Sequence, residues 1–205
     1  MKGLLLKDFY MGAKYMRTYL MLVVIFLGSA FVNDNLFFVF YPCILSSMIA
    51  INLLAYDERS KWDAFCGAMP VSKRQVVSGK YLLGLICQCV IVLLTMLVQA
   101  LRMHVNGGLA WENLNVLLGT LVSLCCFSVS IPLPLIFRLG VEKGRMVYYV
   151  MVGVACGGSF VAADLLQGER IPSGLSVWTV AGVGIVLYML SWQLSIRWYE
   201  KREIS

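Results

Sequence analysis

The sequence LLAYDERSKWDAFCGAMPVSKRQVVSGKYLLGL, residues 53–85, places eight charged side chains between two long apolar runs. Residues 36–52 before these charges and residues 81–101 after them contain no charged side chain. A helix needs about 20 apolar residues to cross a bilayer core that is about 30 Å thick. The stretch therefore predicts two membrane-spanning helices joined by a short polar loop.

The composition of the whole chain leads to the same class of protein. The 205 residues are 60% hydrophobic and 14% charged, and the mean hydropathy is +0.80. These values exclude an ordinary soluble domain and predict an all-α integral membrane protein that forms a single transmembrane domain over residues 1–205. Six transmembrane helices are predicted, at about residues 15–32, 36–56, 79–101, 114–137, 146–166 and 175–197.

The distribution of Lys and Arg predicts the orientation. Fifteen of the seventeen lie in the N-terminal segment, the loop at residues 57–78 with its flanks, the polar segment after the fourth span and the C-terminus. The other side holds Arg102 and Arg170. Short cytoplasmic loops are rich in positive charge, so both termini and the loop are predicted to be cytoplasmic. This sidedness accounts for the net charge of +6, and no nucleic-acid role is predicted.

The N-terminal residues 1–14 predict an elbow helix that lies in the membrane interface. One stripe holds Lys7, Tyr10, Lys14 and Arg17, and the other holds Leu5, Phe9, Ala13 and Met16. Such a stripe pattern is typical of interfacial helices. A cleaved signal peptide ending at the small residues 28–30 is the alternative, but an uncleaved segment agrees better with six spans and a cytoplasmic N-terminus.

Two helix-start signals lie inside the loop. Residues 60–63, SKWD, place a serine three residues before an acid, which favours a helix beginning near Lys61. Its apolar face would consist of Trp62, Phe65, Cys66 and Met69. Pro70 ends this helix, and Ser72 with Gln75 forms a capping box that begins the next one. From these residues alone, the loop is either an interfacial segment resting on headgroups or a docking surface for a cytoplasmic protein.

The order of residues in this loop resembles that of a known family. Residues 54–82 carry Tyr56, Asp57, Glu58, Lys61, Trp62, Pro70, Ser72 and Gln75 in the order found in permease subunits of bacterial type-2 ABC exporters. The resemblance extends over the chain and is weak in the last three spans. It implies a type-2 ABC exporter-like fold in which a short cytoplasmic coupling helix fits a groove on a separate ATPase subunit.

The resemblance also assigns roles within the loop. Trp62 and Phe65 would sit in the ATPase groove, and Asp57, Glu58, Lys61 and Asp63 would supply its polar rim. Lys73 and Arg74 would face the ATPase or anionic lipid. The predicted docking residues are Asp57, Glu58, Lys61, Trp62, Asp63, Phe65, Met69, Pro70, Ser72, Lys73, Arg74 and Gln75.

The chain is predicted to be a non-catalytic subunit. Gly79 and Lys80 are followed by Tyr81, so the Gly-Lys-Ser/Thr ending of a phosphate-binding loop is missing. ATP and Mg would be bound by the ATPase partner, and no cofactor, metal or catalytic residue is predicted in this chain. A second permease, as a homodimer or a heterodimer, and the lipid bilayer are the other expected partners.

The expected function is export of an amphipathic or hydrophobic cargo, peptide or drug-like, across the bacterial plasma membrane. Asp164, the acidic residue within the fifth span, and Pro132 with Pro134, which should interrupt the fourth, are the candidate pathway residues. The ion-coupling groups of a secondary transporter and the paired catalytic groups of a membrane enzyme are not evident. The alternative that stays open is a non-transporting sensor or assembly subunit that docks a cytoplasmic partner.

Overall fold

The computed structural model describes residues 2–15, 17–33, 35–60, 62, 72–106, 111–165 and 174–201. Within these residues every regular element is a helix, as expected for an all-α protein. The helices are α1 (Lys2–Tyr15), α2 (Arg17–Val32), α3 (Leu36–Arg59), α4 (Lys73–Val105), α5 (Trp111–Ser130), α6 (Pro132–Leu139), α7 (Val141–Leu165) and α8 (Gly174–Lys201).

Four helical segments of the described chain are long and apolar enough to cross a membrane. They are Leu36–Arg59, Lys73–Val105, Trp111–Leu139 and Val177–Lys201. A fifth is obtained if Leu6–Gly12 and Arg17–Val32, which meet at a bend of 67°, are counted as one broken span. The fifth predicted span, at residues 146–166, coincides with α7, whose side chains from residue 154 onward lie outside the described residues. The protein is therefore a multi-pass membrane protein with four or five described candidate spans.

Helix α3 lies at the centre of the bundle. In its most apolar window 61% of the residues are buried, compared with 28% for α8. Helices α2, α4, α5, α6 and α7 all pack against α3. The largest apolar cluster joins Ile51 and Leu54 of α3 to Val77 and Tyr81 of α4 and to Phe137 of α6. This cluster surrounds the ends of the helices from which residues 57–78 extend.

The fourth predicted span is interrupted where its two prolines predict a break. Helix α5 ends at Ser130, Ile131 forms a turn, and Pro132 begins α6. Proline lacks the backbone N–H that would continue the helical hydrogen bonds and its ring clashes with the preceding turn. Both Pro132 and Pro134 are buried. The break was predicted correctly, and it directs α6 toward the α7 helix.

A close helix contact follows this break. Gly140 ends α6 with a φ of +87°, a conformation that side chains other than glycine's rarely adopt. One turn later, a Cβ on Gly144 would collide with the side chain of Ile136 and lie 3.1 Å from the Ile136 Cα. Glycine at this position thus permits the backbones of α6 and α7 to approach each other closely.

The two helix-start signals in the loop have different outcomes. Ser72 and Gln75 form the predicted capping box, since the side-chain oxygen of each accepts a hydrogen bond of 3.3 Å from the backbone N–H of the other. Ser60, expected to open the coupling helix, ends α3: its N–H donates to the Tyr56 carbonyl and its hydroxyl to the Asp57 carbonyl. Apart from Trp62, the residues of the predicted coupling helix lie outside the described residues. The third span, predicted over residues 79–101, is part of a longer helix that begins at Lys73.

Candidate functional site

Four charged side chains meet at the base of the loop at residues 57–78, and we call them the ion cluster: Lys7, Asp8, Asp57 and Lys80. Lys80 Nζ lies 2.7 Å from Asp8 Oδ1 and 2.5 Å from Asp57 Oδ2. Lys7 Nζ lies 2.7 Å from Asp57 Oδ1 and 3.4 Å from Asp8 Oδ1. Each cation therefore contacts both carboxylates, and the two charges of each sign balance.

The ion cluster is shielded from solvent. Asp8, Asp57 and Lys80 have exposed fractions of 3%, 4% and 3%. Removing a charged side chain from water costs several kcal/mol, and that cost is offset only when opposite charges and hydrogen bonds replace the water. The mutual pairing explains how four ionisable groups are accommodated at the edge of a bundle that is otherwise apolar.

The ion cluster joins three separate elements. Lys7 and Asp8 lie on α1, Asp57 lies in the last turn of α3, and Lys80 lies in the second turn of α4. Helices α3 and α4 are the two stems of the loop. Because a buried ion pair tolerates little change in geometry, the cluster fixes α1 to both stems at once.

Trp62 continues this arrangement into the start of the loop. Lys7 Nζ lies 3.7 Å from the centre of the Trp62 ring, a cation–π contact. The ring is half-buried and packs against the apolar cluster around Ile51 and Tyr81. The sequence assigned Trp62 to the groove of an ATPase, but in this chain the ring contacts its own protein.

Helix α7 is fastened to the same end of α3. Glu58 Oε2 accepts a hydrogen bond of 2.9 Å from the N–H of Val141, at the first turn of α7, where a carboxylate also interacts favourably with the helix dipole. Arg145 Nη2 donates to Asn52 Oδ1 at 2.6 Å. Both contacts link α7 to residues on the last two turns of α3.

The residues after the loop contact the C-terminal helix. Arg74 Nε lies 2.6 Å from Glu200 Oε1, and Lys73 Nζ donates to the Glu200 carbonyl at 3.3 Å. The N-terminal helix, both stems of the loop and the end of α8 therefore share one end of the bundle, which we call the basic end. The sidedness predicted from Lys and Arg is consistent with this grouping.

Several of the predicted docking residues have other contacts than expected. Asp57, assigned to an exposed polar rim, is buried because it is paired with two lysines. Glu58 is exposed and holds α7 in place. Ser72 and Gln75 form the helix cap described above. Five further docking predictions lie outside the described residues: Lys61, Asp63, Phe65, Met69 and Pro70.

The structure describes the side chains of two of the three predicted pathway residues. Pro132 and Pro134 are buried at the break between α5 and α6. Asp164 lies in α7, and its side chain is outside the described part of the chain. Among the residues that the structure describes, no group of three or more His, Cys, Asp or Glu side chains is placed to hold a metal ion.

The ion cluster itself was not predicted. The sequence pattern places Lys80 among the basic residues of the loop and assigns no role to Asp8. One signal was available: Asp8 is the sole acidic residue in the first 33, on a helix otherwise apolar or basic. An isolated acid in such a segment indicates an internal cationic partner, but the sequence does not say which one.

The chain was compared with known proteins. A family model described as "ABC-2 family transporter protein" matches residues 3–200. No curated protein and no solved structure matches the sequence. The family match covers α1, the stems of the loop and all the candidate spans.

Proposed function

Because the chain belongs to the ABC-2 transporter family, we propose that it is the membrane permease subunit of an ATP-driven exporter that moves an amphipathic or hydrophobic cargo. The match over residues 3–200 is the observation that carries this proposal. ATP hydrolysis is assigned to a separate ABC ATPase. The exporter is proposed to sit in a bacterial plasma membrane with both termini in the cytoplasm, alongside a second permease.

We propose that residues 57–78 transmit movement from the ATPase to the bundle. The ion cluster supports this role because it joins α1, α3 and α4 at the base of the loop. A force applied to the loop would then displace three helices together as a rigid body, which is a common form of domain motion. A loop attached through solvated, flexible stems would dissipate the same force locally.

The contacts of the described residues divide the proposed docking residues into two groups. Trp62, Asp57 and Glu58 contact the protein's own helices, so we assign them to the base that holds the loop. Phe65 and Met69 carry the proposed contact with the ATPase groove, and Lys61 and Asp63 its polar rim. This assignment keeps the predicted coupling helix and removes Trp62 and Asp57 from its outer face.

The docking proposal is tested by purification of the tagged protein from its native membranes. Wild type is compared with Phe65→Glu/Met69→Glu, which places two acids on the proposed apolar face. Trp111→Glu is the matched control, because Trp111 is 75% exposed and begins α5 at the opposite end of the bundle.

We expect a protein with a phosphate-binding-loop sequence to co-purify with wild type and with Trp111→Glu, and to be absent from the double variant. Equal recovery with the double variant would reject the docking face. If no such protein co-purified with wild type, the proposal that an ABC ATPase is the partner would be rejected.

Transport itself separates the exporter from a sensor or assembly subunit. Vesicles containing the chain and its ATPase are loaded with ATP on the ATPase side and offered a fluorescent amphipathic peptide. ATP-dependent movement of the peptide across the membrane is the result expected of an exporter. Stable docking with no movement of any tested amphipathic compound would favour the alternative.

A further inference from the structure

A groove on the surface of the bundle lies between the proline break and the C-terminal helix. It has a volume of about 350 Å³, within the range of about 300–1,000 Å³ that is typical of ligand sites. Ile131 and Pro134 form one wall, and Leu190 and Leu194 of α8 form the other. Arg197 lies at one end. We call this site the α5–α8 groove.

The groove lies beside the break between α5 and α6. Ile131, the residue at the turn, and Pro134 of the following helix both line it. Ile131 has an exposed fraction of 45% and Leu190 one of 55%. The apolar walls are therefore open to the surrounding bilayer.

The polar residues of the groove lie in a fixed order along α8. Arg197 stands near the basic end, since Glu200, less than one turn beyond it, pairs with Arg74. Gln193 lies one turn deeper, at about 6 Å along the helix axis, and Leu190 and Leu187 lie deeper still. A charge, an amide and then hydrocarbon follow one another from the interface toward the bilayer core.

This order matches the order of groups in a phospholipid. A guanidinium binds phosphate oxygens through charge-assisted hydrogen bonds. The amide of Gln193, about 6 Å from Arg197 along the helix axis, can donate a hydrogen bond to an ester carbonyl of a lipid whose phosphate binds Arg197. The leucines and Ile131 offer an apolar surface to an acyl chain. Arginine at a membrane surface that is rich in basic residues also favours negatively charged lipid.

We propose that the α5–α8 groove is a binding site for an anionic glycerophospholipid of the leaflet at the basic end. The phosphate binds Arg197, an ester carbonyl accepts from Gln193, and one acyl chain lies along Ile131, Leu190 and Leu194. The lipid would lie beside the break between α5 and α6, against Ile131 and Pro134. The site is separate from the loop at residues 57–78, so lipid binding can be tested independently of ATPase docking.

The test measures lipid binding to the purified full-length chain by native mass spectrometry in detergent. Dioleoyl phosphatidylglycerol is the anionic probe and dioleoyl phosphatidylcholine the zwitterionic one. We expect Arg197→Gln to weaken binding of the anionic lipid about tenfold, because a hydrogen bond to a charged group is lost. Lys201→Gln removes an equal charge one turn away, outside the groove lining, and should change that affinity less than about twofold.

A second variant tests the apolar part of the groove. Ile131→Trp fills the groove and should reduce binding of both lipids, and thermal unfolding confirms that the variant is folded. Equal losses in Arg197→Gln and Lys201→Gln would overturn the proposal in favour of general surface charge. Equal affinity of wild type for the two lipids would overturn the selectivity for an anionic lipid. A change from dimer to monomer in Ile131→Trp, without a change in lipid binding, would overturn it in favour of a contact with a second copy of the chain.

Discussion

The two ends of the bundle are held together by different kinds of interaction. At the basic end, three of the four side chains of the ion cluster are almost fully buried, and the cluster joins three helices. At the opposite end, Arg102 Nη1 donates to the carbonyl of Asn33 at 2.9 Å, and the Asn35 side chain caps α3 by accepting from the N–H of Phe37. These contacts are at the surface and involve backbone atoms.

The ends also differ in how closely their helices pack. Gly144 lets α6 and α7 approach closely at the basic end. At the opposite end, an open groove of about 720 Å³ separates α4 from the start of α5 and is lined by Met96, Trp111 and Glu112. In the proposed exporter, the helices at the basic end would therefore move as one unit when the ATPase acts on the loop. The helices at the opposite end have space to change their packing.

The largest effect is expected from removing one cation of the ion cluster. Lys80→Met leaves Asp8 and Asp57 buried with Lys7 as their shared partner. Breaking a buried ion pair on one side costs about 3–5 kcal/mol, so we expect the free energy of unfolding in micelles to fall by about that amount. Lys201→Met, at an exposed position, is the control and should leave it unchanged.

A double variant sharpens this test. Lys80→Met combined with Asp8→Leu removes a balanced pair, and replacing a buried pair with apolar side chains is often neutral. The double variant should therefore be more stable than Lys80→Met alone, with a clear coupling between the two sites. If the two losses simply added, the contact between Lys80 and Asp8 would carry no interaction energy.

A smaller loss is expected from adding one methyl group at the basic end. Gly144→Ala places a Cβ against both the side chain and the backbone of Ile136, and overpacking of this kind costs about 1–3 kcal/mol. Gly182→Ala in α8 is the matched control, because nothing lies within 4 Å of its added Cβ. The control should be unchanged or slightly stabilised, since alanine is the better helix former. Equal melting temperatures for the two variants would contradict the close approach of α6 and α7.

The opposite end should be less sensitive. Arg102→Gln removes the charged donor to the Asn33 and Ala30 carbonyls, and a hydrogen bond at an exposed site contributes about 1 kcal/mol. We expect a correspondingly small decrease in the free energy of unfolding, measured by the same denaturant titration. A decrease as large as that of Lys80→Met would remove the contrast between the two ends.

The smallest effect concerns the exposed ion pair between the loop stem and the C-terminal helix. Arg74 has an exposed side-chain fraction of 72% and Glu200 one of 38%, and such surface pairs add little to stability. Glu200→Gln should leave the melting temperature unchanged in low and in high salt. A loss of stability that disappears in high salt would show that the pair stabilises the protein more than its exposure indicates.

The sequence predicted those features that depend on neighbouring residues. Apolar runs determine the candidate spans, the capping box at Ser72 depends on Gln75 three residues away, and Pro132 with Pro134 is sufficient to interrupt a helix. Each follows from local chemistry. The assignment to an ABC-2 permease, made from the order of residues in the loop, is confirmed by the family match.

Features that depend on distant residues were not predicted. Asp8 and Lys80 are 72 positions apart, and Lys7 and Asp57 are 50 positions apart. Residue patterns along a chain do not specify such pairings, so Asp57 was interpreted as an exposed rim residue. The contact of the Ser60 hydroxyl with the end of α3 was also not predicted, because a serine followed by an acid at the third position does not indicate how the preceding helix ends.

The most direct test of the central claim is site-specific photo-crosslinking in intact cells. A photoreactive amino acid replaces Phe65 in the loop, or Trp111 at the opposite end, and cross-linked proteins are identified by mass spectrometry. The account predicts that an ABC ATPase with a phosphate-binding loop is captured from position 65 and not from position 111. Capture of the ATPase from both positions, or from neither while the wild-type complex can still be purified, would contradict docking at residues 57–78.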